Sequence, residues 1–270
     1  MVNSPSTIGY FRTYIDTLIL GLRFPIGDLG AYNNMKYFAS MPMLQFLTPL
    51  VAPLHREMGK VQHQREDLKF QFDITLKLLG FLIAPIAAIF YLSSEQIVLL
   101  VLGDQWVEYH RIFGFLGMMI IPFVLFTQTS RILMVSHLTR TIFNYEVIAT
   151  ALIAFFLFTL PASSGIQFSI YKVILELFLS SILFFYSYRK IFKDSGVASY
   201  IYVLFPFLTV VFLTGFSSSL VFETKSFYSL FLNCFLSTLF TLAIFSMFFY
   251  AVASEKERDL VRKVFGSLKN

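Results

Sequence analysis

A chain of 270 residues that is 57% hydrophobic and only 14% charged lacks the ionisable side chains of a soluble domain, which average about 25%. With 34 Phe, 14 Tyr and a mean hydropathy of +0.71, the composition is that of a multi-spanning membrane protein. The net charge of +5 is divided among separate polar stretches, which excludes a nucleic-acid-binding face, and the single Cys234 excludes an internal disulfide.

In chain order, residues 1–13 lack the basic-then-apolar pattern of a cleavable signal peptide. Residues 8–24 are just long enough to cross a membrane, carrying Arg12 and Asp16. A turn follows at 27–30, then a span at 31–54. Pro42, Pro49 and Pro53 predict that this span is kinked or broken, either as packing within a bundle or to line a cavity. The run 55–69, HREMGKVQHQREDLK, is too polar for hydrocarbon. It reads as a loop at one membrane face, with His55 and His63 solvated. The span at 70–92 has Asp73 and Lys77 on one helix face near that surface. They form an interfacial ion pair with a snorkelling lysine, or a polar lining at a cavity mouth.

Residues 93–110 form a loop at the opposite face with an apolar middle, and 97–102 lie on that surface. Spans follow at 112–133, 142–160 (with Glu146 near its start), 167–188, 200–216 and 227–253. The reading is all-α: a polytopic bundle of about seven to eight spans over 1–254, then a charged tail over 255–270. The loops and tail on the side of 55–69 hold fourteen Lys and Arg, and the opposite side holds three, Arg23, Arg111 and Lys225. That bias places 55–69 and the C-terminus in the cytoplasm.

No catalytic constellation, metal-ligand cluster or phosphate-binding loop is evident, and no cofactor is implied. Attention falls instead on ionisable residues within spans, which usually face a cavity or each other. Lys172 and Glu176 are spaced as a structural pair. Asp16 has only Arg12 at helical spacing, and Lys36 has no partner at helical spacing. A cation such as Lys36 in a membrane cavity suits a pyrophosphate or an acidic sugar.

The stretches YIDTLILG (14–21) and GDLGAY (27–32), the proline-then-polar run 53–68 and LGDQW (102–106) resemble, in that order, the second half of polysaccharide flippases. These are the Wzx-type members of the MATE-like MOP exporter superfamily. At 135–141 this chain has Ser-His-Leu-Thr-Arg where the family pattern has a small-residue turn. The resemblance implies transport of an undecaprenyl-pyrophosphate-linked oligosaccharide across a bacterial inner membrane, for lipopolysaccharide or exopolysaccharide synthesis. It implies that this chain supplies about the second half of twelve to fourteen spans. A separate N-terminal half or a second copy would complete it, and lipids would be its other partners. The pathway residues expected are Asp16 and Lys36, with Arg23 at the outer mouth and Asp73 and Glu146 toward the inner one. A half-size homodimeric transporter and a non-transporting scaffold subunit of an assembly complex are the alternatives.

Overall fold

Long apolar runs must satisfy every backbone N–H and C=O internally once they leave water, which leaves the helix as the local solution. The computed structural model describes residues 7–204, with the isolated positions Leu239 and Ala243. Among these residues every regular element is helical. The expected span at 227–253, most of that at 200–216 and the tail 255–270 lie outside the described residues.

The chain begins with α1 (Thr7–Arg23) and α2 (Ile26–Pro42). A π-helical turn, Met43–Leu47, joins α2 to α3 (Thr48–Lys60) without a break in the helical path. Proline explains the turn. Pro42 brings no N–H to the ladder, and the chain widens so that Thr48 donates both its N–H and its hydroxyl to the Met43 carbonyl, the latter at 3.1 Å. The kink expected in this span is therefore a π-turn.

The polar run is not a loop. Residues 55–60 complete α3, only 61–64 form a turn, and 65–69 open α4 (Arg65–Leu92). A run of good helix formers continues the helices beyond the apolar region, with Lys60 and Glu57 paired at 2.6 Å one turn apart. His55 is only partly solvated. It donates from Nε2 to the Oε1 of buried Gln128 at 3.2 Å, because α3 packs across α7.

The segment 93–110 is likewise structured, as α5 (Ser94–Leu102) and a 3-10 helix, Asp104–Tyr109. Gly103, at φ +92°, makes the corner between them. The next span is divided into α6 (His110–Gly117) and α7 (Ile120–Val135). Pro122 cannot bond to the Met118 carbonyl four residues before it. That carbonyl accepts instead from the Ile121 N–H at 3.1 Å, which sets the break just ahead of the proline. Then come α8 (Thr139–Thr159) and α9 (Gly165–Phe192), and a further helix starts at 197.

Four of these stretches are long and apolar enough to cross a membrane: Arg65–Leu92, Asp104–Val135, Thr139–Thr159 and Gly165–Phe192. The architecture is an all-α, multi-pass membrane bundle. α9 is its axis, packed against α6, α7 and α8, while α1 lies along α8 and α2 along α6. One core, toward the 55–69 end, joins α3, α4, α7 and α9 around Phe72, Leu79, Val124 and Phe184. The second, toward the opposite end, joins α1, α2, α6, α8 and α9 around Leu20, Tyr32, Phe113 and Phe168. α8 turns Phe143, Ile148, Phe155 and Phe158 outward, as a helix at the lipid boundary does.

Candidate functional site

A cluster of five ionisable side chains is held between α1, α2 and α9. Asp16, at the middle of α1, is wholly buried. Its carboxylate accepts from the Lys36 Nζ at 2.7 and 2.9 Å and from the Tyr32 hydroxyl at 2.7 Å, both on α2. Lys36 also donates to the Thr13 carbonyl at 2.6 Å. One turn before Asp16, Arg12 pairs with Glu176 of α9 and donates to the Tyr145 hydroxyl of α8 at 3.2 Å. Its guanidinium lies 4.6 Å from the centre of the Phe126 ring. Lys172, one turn from Glu176, donates to that carboxylate at 2.8 Å.

The arrangement follows from the cost of ions in hydrocarbon. Each buried carboxylate is matched by a cation and finished with further hydrogen bonds, the condition under which such ions persist. Three cations face two carboxylates, so the cluster keeps one positive charge in excess. Arg12, Asp16, Lys172 and Glu176 are buried, whereas the Lys36 side chain is 25% exposed. Lys36 is therefore where the cluster opens outward.

The sequence placed Asp16 and Lys36 among the pathway residues, and the fold makes them partners of each other across the turn between α1 and α2. Arg12 was expected beside Asp16 and goes instead to Glu176. Asp16 is already filled by Lys36 and Tyr32, while Glu176 on the facing helix needs a second donor. The Lys172–Glu176 pair forms as its spacing predicted, and becomes part of the cluster through Arg12. Tyr32, which helps complete it, closes the GDLGAY stretch (27–32) but was not expected to be a site residue, and Tyr145 carried no sequence signal.

The other expected residues lie apart from this cluster. Arg23, at the end of α1, donates to the carbonyls of Leu157 and Leu160 at 2.7 and 2.9 Å. It caps the end of α8, where the last carbonyls lack intrahelical donors. Glu146 is half-buried on α8 beside Tyr145. Asp73 belongs to a second polar group at the 55–69 end. There it accepts from the Tyr188 hydroxyl at 3.0 Å and from Ser199 at 2.7 Å. Lys77 does not snorkel. It is buried, with Nζ 4.8 Å from the centre of the Tyr202 ring, because α9 and the helix beginning at 197 cover this face of α4. Asp73 and Lys77 both line a recess of about 310 Å³ with Lys69 and Asp194. The loop at 135–141 contains His137 at φ +59°, a left-handed position that favours glycine.

Comparison with known proteins places these observations. Residues 4–111 match a family described as polysaccharide biosynthesis protein. The succinoglycan biosynthesis transport protein ExoT of Rhizobium meliloti (strain 1021) is 25% identical over 114 residues, which are 42% of this chain and 23% of that protein. The lipopolysaccharide biosynthesis protein WzxC of Escherichia coli (strain K12) is 27% identical over 105 residues, 39% of this chain and 21% of the relative. The matched segments thus span less than a quarter of either relative. No solved structure matches. Arg12, Asp16, Tyr32 and Lys36 fall inside the matched region, and their partners Tyr145, Lys172 and Glu176 lie beyond it. The resemblance of this chain to flippase-type polysaccharide biosynthesis proteins of the MOP class is borne out by the match over residues 4–111 and by both relatives.

Proposed function

We propose that this chain is part of a transporter that moves an undecaprenyl-pyrophosphate-linked oligosaccharide across the bacterial inner membrane, without enzymatic chemistry of its own. In this reading 55–69 faces the cytoplasm, and the helix bundle forms one lobe. A separate N-terminal half or a second copy supplies the facing lobe, since such transporters place the substrate between repeats. One observation carries the reading beyond the resemblance: the buried ion cluster with an excess cation that opens only at Lys36. An anionic pyrophosphate passing Lys36 would meet the net positive charge of the cluster, which Asp16 and Glu176 together do not neutralise, in a low dielectric where that attraction is strong. Arg12, Lys172 and Glu176 hold the cluster's shape and do not touch the substrate.

The test is leaflet exchange in vesicles reconstituted with this chain, either alone or with its complementary lobe. The readout is protection of a fluorescent lipid-linked oligosaccharide from an external glycosidase. To leave the net charge of the cluster unchanged and the bundle folded, Lys36→Met is combined with Asp16→Asn. The reading requires transport by the parent chain and a loss of at least about tenfold in the double variant, the effect of removing about 1.4 kcal/mol from a rate-determining interaction. Equal transport by both proteins removes Lys36 from the pathway. Exchange no faster than in protein-free vesicles, in every lobe combination, removes the flippase reading.

A further inference from the structure

The end of the bundle opposite 55–69 contains a cleft of about 720 Å³, within the range of small-ligand sites. It is framed by the end of α4, by α5, by the start of α6 and by the start of α9. Two aromatic rings, Tyr91 and Phe115, stand edge to face on its wall with centroids 5.4 Å apart. Around them are Glu95, Gln96, His110 and Arg111.

The hydrogen-bonding character of these groups is specific. The His110 Nδ1 lies 2.8 Å from the Val107 carbonyl. A carbonyl only accepts, so Nδ1 carries the proton and Nε2 of the neutral ring is an acceptor. Gln96 also lines the cleft, but its Oε1 is buried without a hydrogen-bond donor, so that acceptor reaches a ligand only if the side chain turns. Arg111 is exposed and carries a planar fork of donors, while Glu95 supplies the opposite charge. One cation and one anion cancel, so the cleft offers little net attraction to a phosphate. What it offers is a mixed set of donors and acceptors beside aromatic faces. That combination fits a neutral polyhydroxylated ring, whose hydroxyls each donate and accept and whose C–H face packs on aromatic carbon.

We propose that this cleft is a carbohydrate site, which holds the sugar portion of the cargo at the far end of its passage. The assignment to cargo rests on the transport reading above. The site itself rests on the cleft. The charge-excess cluster and the neutral cleft divide the two chemistries of a lipid-linked sugar, its anionic linkage and its uncharged glycan.

The cleft can be tested without transport. Trp106 is the only tryptophan in the chain. It packs 6.4 Å from Tyr109, directly ahead of His110 and Arg111, so its emission reports on this wall. The full chain in nanodiscs is titrated with soluble cellobiose and lactose, and separately with glycerol 3-phosphate. We expect a saturable change in emission with at least one disaccharide and none with glycerol 3-phosphate. Arg111→Ala and Phe115→Leu are each expected to weaken sugar binding about tenfold or more, which corresponds to about 1.4 kcal/mol. Ile166→Trp, which adds bulk to a lining position, is followed by microscale thermophoresis because it introduces a second indole, and is expected to abolish binding. Helical circular dichroism of each variant separates loss of the site from loss of the fold. Response to neither disaccharide, binding unaffected by correctly folded Arg111 and Phe115 variants, or preference for glycerol 3-phosphate each overturns the proposal. Lys36→Met with Asp16→Asn leaves cleft binding intact, so failure of the transport reading and failure of the cleft give different results.

Discussion

Replacing Asp16 by Ala removes the one group that Tyr32 and Lys36 share. The Tyr32 hydroxyl is wholly buried and its bond to Asp16 is 2.7 Å, so in Asp16→Ala that hydroxyl is orphaned, at a cost of about 1–3 kcal/mol. Lys36 keeps only the Thr13 carbonyl and some access to solvent, and the buried excess charge of the cluster doubles. Breaking a buried ion pair in this way costs about 3–5 kcal/mol in soluble proteins. Interhelical hydrogen bonds in membranes average nearer ~0.6 kcal/mol, because the unfolded chain in lipid also finds partners. The partial exposure of Lys36 moves the estimate further toward the low end, so we expect about 3 kcal/mol for Asp16→Ala. Tyr32→Phe alone deletes a charge-assisted bond worth about 1.5–3 kcal/mol. In the Asp16→Ala background the same change removes an orphan and is expected to be neutral or stabilising. A double-mutant cycle by equilibrium unfolding in bicelles should therefore show coupling of about 1.5 kcal/mol or more. Additive losses would mean that Asp16 and Tyr32 are hydrated independently, and the buried cluster would have to be abandoned.

Three further outcomes follow from particular contacts. A methyl group at Gly117 would meet the Phe90 Cβ at 2.7 Å, so Gly117→Ala should destabilise the α4–α6 contact by about 1–3 kcal/mol and lower the thermal midpoint. His137, at φ +59°, pays a left-handed penalty of about 1–2 kcal/mol that glycine largely avoids, offset in part by the unfolded-state entropy of glycine; His137→Gly should raise the midpoint slightly, and a fall would count against the turn. Lys69 and the Ser195 N–H hold the Asp194 carboxyl below its usual value. A depressed folded-state value means that stability is present above the ordinary carboxylate range and is lost as pH falls through the folded value. Both partners are about half exposed, which limits the pair to about 1 kcal/mol or less and makes it salt-sensitive. Asp194→Asn should flatten the acid limb of a pH–stability profile at low salt, lowering stability by about 1 kcal/mol or less at neutral pH and changing nothing once the pH is below the folded value.

Much of the fold was legible because a membrane imposes one local rule on every crossing. Apolar length located α4, α8 and α9, and the prolines marked where α2–α3 departs from a regular helix, whereas the break between α6 and α7 ahead of Pro122 lies in a stretch read as one span. Helix length was misjudged wherever polarity was taken for a loop. Charged residues continue a helix into the interface as readily as apolar ones, so 55–60 and 65–69 are helical despite their composition. In the site, Asp16 and Lys36 stood out because an ion within a span needs a partner, and Lys172–Glu176 was visible in its four-residue spacing. The link from Arg12 to Glu176 crosses 164 positions. Nothing local in the sequence distinguishes it from the Arg12–Asp16 spacing, which suggested a different pair. Arg23 shows the same limit: a cation at a helix end was legible, but its neighbour, the C-terminus of α8, depends on packing between helices far apart in the chain.

The central claim is that an anionic lipid linkage meets this bundle at Lys36, and binding measures it most directly. The full chain in nanodiscs is titrated with undecaprenyl pyrophosphate, with undecaprenol as the uncharged control, and complexes are counted by native mass spectrometry. Binding should favour the pyrophosphate over the alcohol and fall at least about tenfold, or about 1.4 kcal/mol, when Lys36→Met is combined with Asp16→Asn. Equal binding of the two lipids, or binding of the pyrophosphate that survives loss of Lys36 in a folded protein, would contradict the account.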